Sequence, residues 1–393
     1  MSEPKVENVK MQFFAKCYQG LEDALHDELL SLGATDLVVV PRGIQFSGDL
    51  KLLYTVNYCS RLALRFLKKI VDFRAKNEQE IYDATYDLVR WHELFTDENT
   101  FAIDVVMHSS HFKHSKFLAY KTKDAIVDQF KLSGRKRPSV ETENPDYQIH
   151  LHIYEDVCSL YLDASGESLH MRGYRKHLGL APLSEVLAAG MLAVSDWTPE
   201  KPLIDPMCGS GTILLEAAML SMKVPAQYFR KSFGFMNWLD FEPILWEEVR
   251  SHYSDMKLEA PVASIRGYDR DIITMRKCRE NLIAARLYGD IQIEQKNFHD
   301  LVAPEEPTVL MFNPPYNERI TLRDANLFYE KIGSTLKHKW QGHEAWIIAA
   351  DTPATKSIGL KPSRKIPLMN GPIVCKFLKY EMYAGSKKIQ DTE

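Results

Sequence analysis

Apolar positions in the first sixty residues recur with two different periods. Met11 to Tyr18 alternates as a half-buried strand does, Leu21 to Leu32 has helical spacing closed by Gly33, and Leu37 to Val40 and Ile44 to Phe46 predict strands around a Pro41-Arg42-Gly43 turn. Asp49 to Asn57 returns to helical spacing. This order predicts a small α+β unit with an antiparallel sheet over residues 1–63. A second α+β unit is predicted over 64–165: a strand at Leu64 to Phe73, a helix at Glu80 to Leu88, a strand at Thr100 to Met107 and a helix at Phe117 to Leu132. Two alternating strands, Asp146 to Tyr154 and Val157 to Ala164, close it as a hairpin at Glu155-Asp156.

The pattern changes in residues 166–393, most visibly after Gly173. Short continuous apolar runs, Pro202 to Ile204, Ser264 to Tyr268, Ile291 to Gln295, Val309 to Phe312 and Ala345 to Ala350, alternate with helical segments. Strands that are apolar on every residue are buried on both faces, so this part is predicted to be a doubly wound α/β domain with a mostly parallel sheet. Lys365 to Met369 and Ile373 to Tyr380 flank Asn370-Gly371, a hairpin signal that adds antiparallel strands to its edge.

Two motifs in this domain carry chemistry. Leu203-Ile204-Asp205 leads through Gly209 and Gly211 into an apolar helix, Ile213 to Met222. Glycines at the carboxyl end of a strand let a ligand approach the backbone at a helix N-terminus. No Gly-Lys-Ser/Thr follows, and Asp205 would repel a pyrophosphate, whereas a cationic ligand suits it. Asp269, ending the next strand, is placed to accept hydrogen bonds from ribose hydroxyls, with Asp271 left to cap the following helix. After the fourth strand comes Asn313-Pro314-Pro315-Tyr316. Two prolines hold the backbone extended without donors, so the Pro314 carbonyl and the Asn313 side chain are acceptors for the hydrogens of a planar amine, and Tyr316 offers a stacking ring. Guanine N2, adenine N6 and a protein glutamine amide all satisfy that description.

These motifs, together with Leu169 to Arg175, Ala181 to Gly190 and Asn313 to Arg319, resemble the THUMP-containing class I ribosomal RNA guanine-N2 methyltransferases of bacteria, the RlmL family. The resemblance implies a ferredoxin-like unit, a THUMP domain and a Rossmann-like methyltransferase domain in that order. It implies S-adenosyl-L-methionine (SAM) as cofactor, with Asp205, Gly209 and Gly211 at the cofactor turn, Asp269 at the ribose, Asn297 and Phe298 at the adenine, and Asn313, Pro314, Pro315 and Tyr316 at the target base. The implied partner is RNA, namely 23S ribosomal RNA or a large-subunit assembly intermediate, with another RNA such as tRNA as the alternative. A non-enzymatic RNA-binding assembly factor is the rival, which intact Asp205, Asp269 and Asn313 disfavour.

Composition adds little to this picture except locally. With 49 Lys and Arg against 53 Asp and Glu, the chain has no overall attraction for a polyanion, so an RNA surface has to be a patch. Lys113, Lys116, Arg135, Lys136 and Arg137 lie in the most basic stretch and are the candidate phosphate contacts. Six scattered cysteines without a CxxC pair predict reduced thiols, a cytoplasmic location and no metal site, and no apolar run is long enough to span a membrane. An aromatic segment over Tyr228 to Trp246 is expected to be mainly a satellite core.

Overall fold

The computed structural model describes residues 10–176, 183–315 and 322–383. The chain divides into two compact units, one comprising the residues up to Cys17, His26–Leu169 and Lys231–Ser251, the other Tyr18–Leu25, His170–Arg230 and the residues from His252 onward.

The N-terminal stretch runs β1 (Met11–Lys16), α1 (Glu22–Ser31), β2 (Thr35–Val40), β3 (Gly43–Gly48), α2 (Leu50–Cys59), β4 (Arg65–Arg74), α3 (Glu78–Leu88), α4 (Trp91–Leu94), β5 (Thr100–His108), α5 (Ser115–Leu132), β6 (Ser139–Val140), β7 (Tyr147–Tyr154) and β8 (Val157–Asp163). Local signals set these boundaries. The Asp49 carboxylate accepts from Leu52 N at 2.8 Å and starts α2. Asn77 accepts from Gln79 N and Glu80 N, and Glu80 reaches back to Lys76 N at 2.7 Å, which opens α3 two residues before the apolar spacing begins. Arg42 and Glu155 adopt positive φ of 62° and 52° at the two expected turns.

All eight strands form one sheet, ordered β2-β3-β1-β4-β8-β7-β5-β6. Sequence periodicity separated them into two α+β units, and β4 is what joins them, pairing antiparallel with β1 on one side and β8 on the other. Alternation reports which face a residue occupies, not which strand lies beside it. Phe13, Ala15, Ile44, Phe46, Phe66, Ile149, Leu151 and Phe101 bury the apolar face. Residues 231–251 belong to this unit, where Phe235 lies 4.5 Å from Tyr54 of α2 between ring centroids and Glu242 N donates to the Tyr54 hydroxyl at 3.0 Å. Phe233, Phe235, Trp238 and Trp246 are buried, so most of the aromatic segment is core, as expected.

The remaining elements are α6 (Glu185–Val194), β9 (Leu203–Asp205), α7 (Thr212–Ser221), α8 (Pro243–Asp255), β10 (Ile265–Asp269), α9 (Ile272–Ala284), β11 (Gln292–Gln295), β12 (Val309–Phe312), α10 (Leu322–Lys339), β13 (Glu344–Ala350), β14 (Arg364–Asn370) and β15 (Ile373–Glu381). The second sheet is ordered β11-β10-β9-β12-β13-β15-β14, parallel from β11 to β13 and antiparallel in the last two strands. Gly371, at φ 60°, makes the expected hairpin turn, and β15 rather than β14 docks on β13. Leu203, Val309, Met311, Trp346 and Ile348 pack into one core, and Ile204, Leu310, Phe312, Ile347 and Ala349 into another. That two-sided burial is why these strands read as unbroken apolar runs. The chain winds outward from β9 to β11 and then returns to β12, so the crevice at the carboxyl ends of β9 and β12 is the switch point where ligands of such sheets bind.

Candidate active site

The glycine turn begins where β9 ends. Cys208 N donates to Tyr268 O at 2.8 Å, Gly211 N to Cys208 O at 2.8 Å, and Gly209 N to Asp269 Oδ2 at 3.1 Å. The other Asp269 oxygen accepts from Asp271 N at 3.0 Å. Asp271 in turn caps α9, accepting from Thr274 N at 2.9 Å, the capping role the sequence suggested for it. Gly209 and Gly211 both have positive φ, 56° and 86°, but their surroundings differ. A Cβ on Gly209 would meet nothing within 4 Å, whereas one on Gly211 would stand 2.7 Å from Cys278 Sγ. Gly211→Ala is therefore expected to lower the melting temperature, through both strain and a clash, and Gly209→Ala to weaken cofactor binding with a smaller stability loss. Thermal unfolding and titration calorimetry on the two variants check this contrast.

A cleft of about 590 Å³ opens at these strand ends. Gly209, Asp269, Asn297, Phe298, Asn313 and Pro315 all stand on its wall, so the structure brings together most of the residues singled out in the sequence. Asp205, Gly211 and Pro314 are not on that wall. Asp205 is 2% exposed and its Oδ1 accepts from Met207 N at 3.1 Å; burial, with a smaller repulsion from Asp269, holds its carboxyl well above the ordinary range. Phe298 is a buried ring packed on Phe312 and Trp340 that borders the cleft. Asn297 Oδ1 accepts from His299 N at 3.1 Å. Pro314 is buried, and Tyr316 lies outside the described residues.

Asn313 differs from its neighbours in one respect. Its Oδ1 is buried and has no hydrogen-bond partner among the described residues, although it belongs to a cleft-wall residue. A buried acceptor left unpaired costs roughly 1–3 kcal/mol, a cost that a donor entering the cleft would relieve.

Sequence reasoning missed further lining residues: Asp324, Leu327, Phe328 and Lys331 of α10, at spacings of three, four and seven, and Arg270, Thr274 and His299. That helical spacing was the available signal. It also missed what supports the glycine turn. The Arg175 guanidinium donates to Thr212 Oγ1 at 2.7 Å and Leu183 O at 3.0 Å, and pairs with Glu185 at 3.0 Å. Asn281 Nδ2 donates to Ser210 O at 3.1 Å while its Oδ1 accepts from Lys176 N at 3.0 Å. Deeper still, Arg172 and Glu216 pair with no exposed surface, and the Tyr174 hydroxyl donates to Glu216 at 2.9 Å.

Burial outweighs the Arg175 charge at Glu185 and lifts its carboxyl from 4.5 to about 7. A carboxyl raised on folding contributes its full stability below its unfolded value and loses that contribution as pH climbs through the folded one. Glu185→Gln, which cannot titrate, should thus gain on the parent chain by up to about 3 kcal/mol between roughly pH 5 and pH 8.5. Denaturant melts at the two pH values measure the difference, and a pH-independent offset would remove Glu185 from this role.

Residues 172–379 match the family described as RMKL-like, methyltransferase domain, which covers more than half of the chain. The chain belongs to this RMKL-like methyltransferase family. Upstream of that domain, residues 75–163 match the THUMP domain and residues 12–67 the RlmL ferredoxin-like domain. A Synechocystis protein described as "Putative RNA methyltransferase" is 38% identical over 94% of this chain and 97% of its own length. The ribosomal RNA large subunit methyltransferase K/L of Syntrophotalea carbinolica is 35% identical over 95% of this chain, and the chain spans 54% of it. Among solved structures, SMU.472, described as "a putative methyltransferase complexed with SAH", superposes with a TM-score of 0.85 at 26% identity, covering 96% of this chain and 99% of that one. A Listeria monocytogenes protein described as "a predicted N6-adenine-specific DNA methylase" superposes at 0.84 and 26%, covering 95% and 96%.

The RMKL-like domain is of the Rossmann-like class I type, and its cofactor is SAM. At the cleft, the Asp269 carboxylate accepts from two backbone donors, Gly209 N and Asp271 N, and a Cβ on Gly209 would meet nothing within 4 Å. No helix among the described residues is long and apolar enough to cross a membrane, and no group of three or more His, Cys, Asp or Glu among them could hold a metal ion.

Proposed function

We propose that this RMKL-like enzyme methylates the exocyclic N2 of a guanine in RNA, with 23S ribosomal RNA as the substrate, in the cytoplasm. The unpartnered Asn313 Oδ1 in the cleft is the observation that carries the reading. An amine attached to a base has its lone pair delocalised into the ring, and two acceptors on its hydrogens help localise that pair and stabilise the positive charge that develops on nitrogen. Asn313 is one acceptor and the Pro314 carbonyl the other, while Tyr316 stacks on the base, which is turned out of its helix to reach the cleft. Bound SAM supplies the electrophilic methyl group. The role of the chain's own residues is to bind, orient and polarise, and no strong base is needed before attack.

The THUMP match, the rRNA methyltransferase relatives and the motif resemblance support RNA and guanine. The description of the Listeria structure favours a second reading, adenine N6, which the same acceptors would serve. Modified-nucleoside profiles of ribosomal RNA from cells with and without the gene separate the two: loss of 2-methylguanosine supports the first reading, and loss of N6-methyladenosine the second.

Lys113, Lys116, Arg135, Lys136 and Arg137 are exposed, and their side chains form no ion pair among the described residues, whereas Lys123 and Lys131 are paired with Asp124 and Asp128. The stretch is two patches rather than one, because α5 separates Lys113 and Lys116 from Arg135 to Arg137 by roughly 27 Å of helix. Both are proposed phosphate contacts. Charge reversal of Arg135, Lys136 and Arg137 together is expected to weaken RNA binding and flatten its salt dependence without touching SAM affinity. An unmoved slope of log affinity against log salt would place that patch off the RNA path.

A further inference from the structure

The eight-stranded sheet has a second face. Register places Phe14 and Lys16 of β1, Arg65 of β4, Tyr161 and Asp163 of β8, and His150 and His152 of β7 on the side opposite the apolar core. Gln12, Gln45, Asp104 and Val106 on this side are exposed, so the face is open to solvent around its centre. At that centre three rings cluster: Phe14 lies 5.6 Å from His152 and 6.1 Å from Tyr161, and His152 lies 5.0 Å from Tyr161. Phe14 and His152 are half-buried above a buried Tyr161. The Phe14 ring is laid over Gly43, where a Cβ would stand 2.5 Å from its Cζ, so glycine there makes room for the ring. Burial, with His150 and Lys16 adding, pushes the His152 imidazole down to about 4, so at neutral pH it is an uncharged ring.

Cations surround the rings. Arg65 is tied to Asp163, which also holds His150 and accepts from Ser165 N and Gly166 N. Lys16 has no side-chain partner among the described residues, although it is more than half withdrawn from water; that burial and then the nearby Arg65 and Arg42 guanidinium groups lower its pKa, against weaker pulls from Asp104 and Asp163. An ammonium near two guanidinium groups, with no ion pair of its own among the described residues, suits an added anion. Aromatic rings flanked by such a cation on an open sheet face are the requirements of single-stranded nucleic acid, whose bases stack while its phosphates pair.

The geometry points to this face as a second RNA surface, on which an unpaired nucleotide stacks over Phe14 and His152 with its phosphate at Lys16. This rests on the RNA reading above but uses none of its residues. The probe is a fluorescent single-stranded RNA oligonucleotide bound by the full chain without cofactor. Phe14→Ala is expected to weaken binding by about fivefold or more, following the usual worth of one stacked base. Lys16→Gln is expected to lower the salt slope by roughly 0.7, one phosphate on a single strand, and Lys16→Arg to restore it. Photocrosslinking of the unaltered chain to 4-thiouridine RNA should mark peptides holding Phe14 or His152, a readout that survives if a variant misfolds. Unchanged affinity and slope in folded variants, or crosslinks confined to other peptides, overturn the inference. Failure of the unaltered chain to bind RNA at all would instead overturn the RNA reading itself.

Discussion

Replacing Asn313 by alanine is expected to slow single-turnover methyl transfer on the order of a hundredfold or more, the usual loss for one preorganised polar group aimed at developing charge. Affinity for SAM and for RNA should change far less, because the proposed contact strengthens only as positive charge builds on the target nitrogen. The structure adds a constraint on how the variant behaves. Asn313 Oδ1 has no partner to lose among the described residues, so truncation removes a buried unsatisfied acceptor, and the melting temperature should not fall. A variant that keeps nearly the parental rate would reduce Asn313-Pro314-Pro315 to a strand-ending turn. One that loses SAM binding together with rate would move Asn313 into the cofactor pocket.

Asp269→Ala is expected to have the larger effect on binding. Its carboxylate accepts from the backbone N–H of Gly209 and of Asp271, so it organises the glycine turn in addition to its proposed contact with the ribose. Losing hydrogen bonds to a charged group costs about 1.5–3 kcal/mol, or roughly ten- to a hundredfold in Kd for SAM. Asp269→Asn, which keeps one acceptor oxygen, should fall between the two. Unchanged affinity in titration calorimetry would withdraw Asp269 from the ribose.

The inner strands of the second unit were legible because they are buried on both faces. Val309–Phe312, apolar at all four positions, matches its expected bounds to the residue. Asp269 and Asn313 could be placed at the cleft because each stands at the carboxyl end of an expected strand. The course of the Asp205 carboxylate, turned back onto its own chain at Met207 N, depends on local dihedrals that residue type does not report. The Arg172–Glu216 pair was illegible for another reason: a pattern that scores charge as surface cannot place two ions in a core. In the first unit, α4 has four residues and β6 two, too few to show a period. The union of two expected sheets through β4 is a choice of neighbours, which the alternation leaves open.

Transfer of a methyl group to a guanine amine of RNA, in the cleft lined by Asp269 and Asn313, is the activity proposed for this chain. Its most direct test is incubation of the purified chain with ribosomal RNA from cells lacking the gene and SAM labelled in the methyl group, followed by digestion to nucleosides and identification of the labelled one. Label is expected in 2-methylguanosine and is expected to be lost with Asn313→Ala. Label in N6-methyladenosine, in protein, or in no nucleoside at all would contradict the proposed activity.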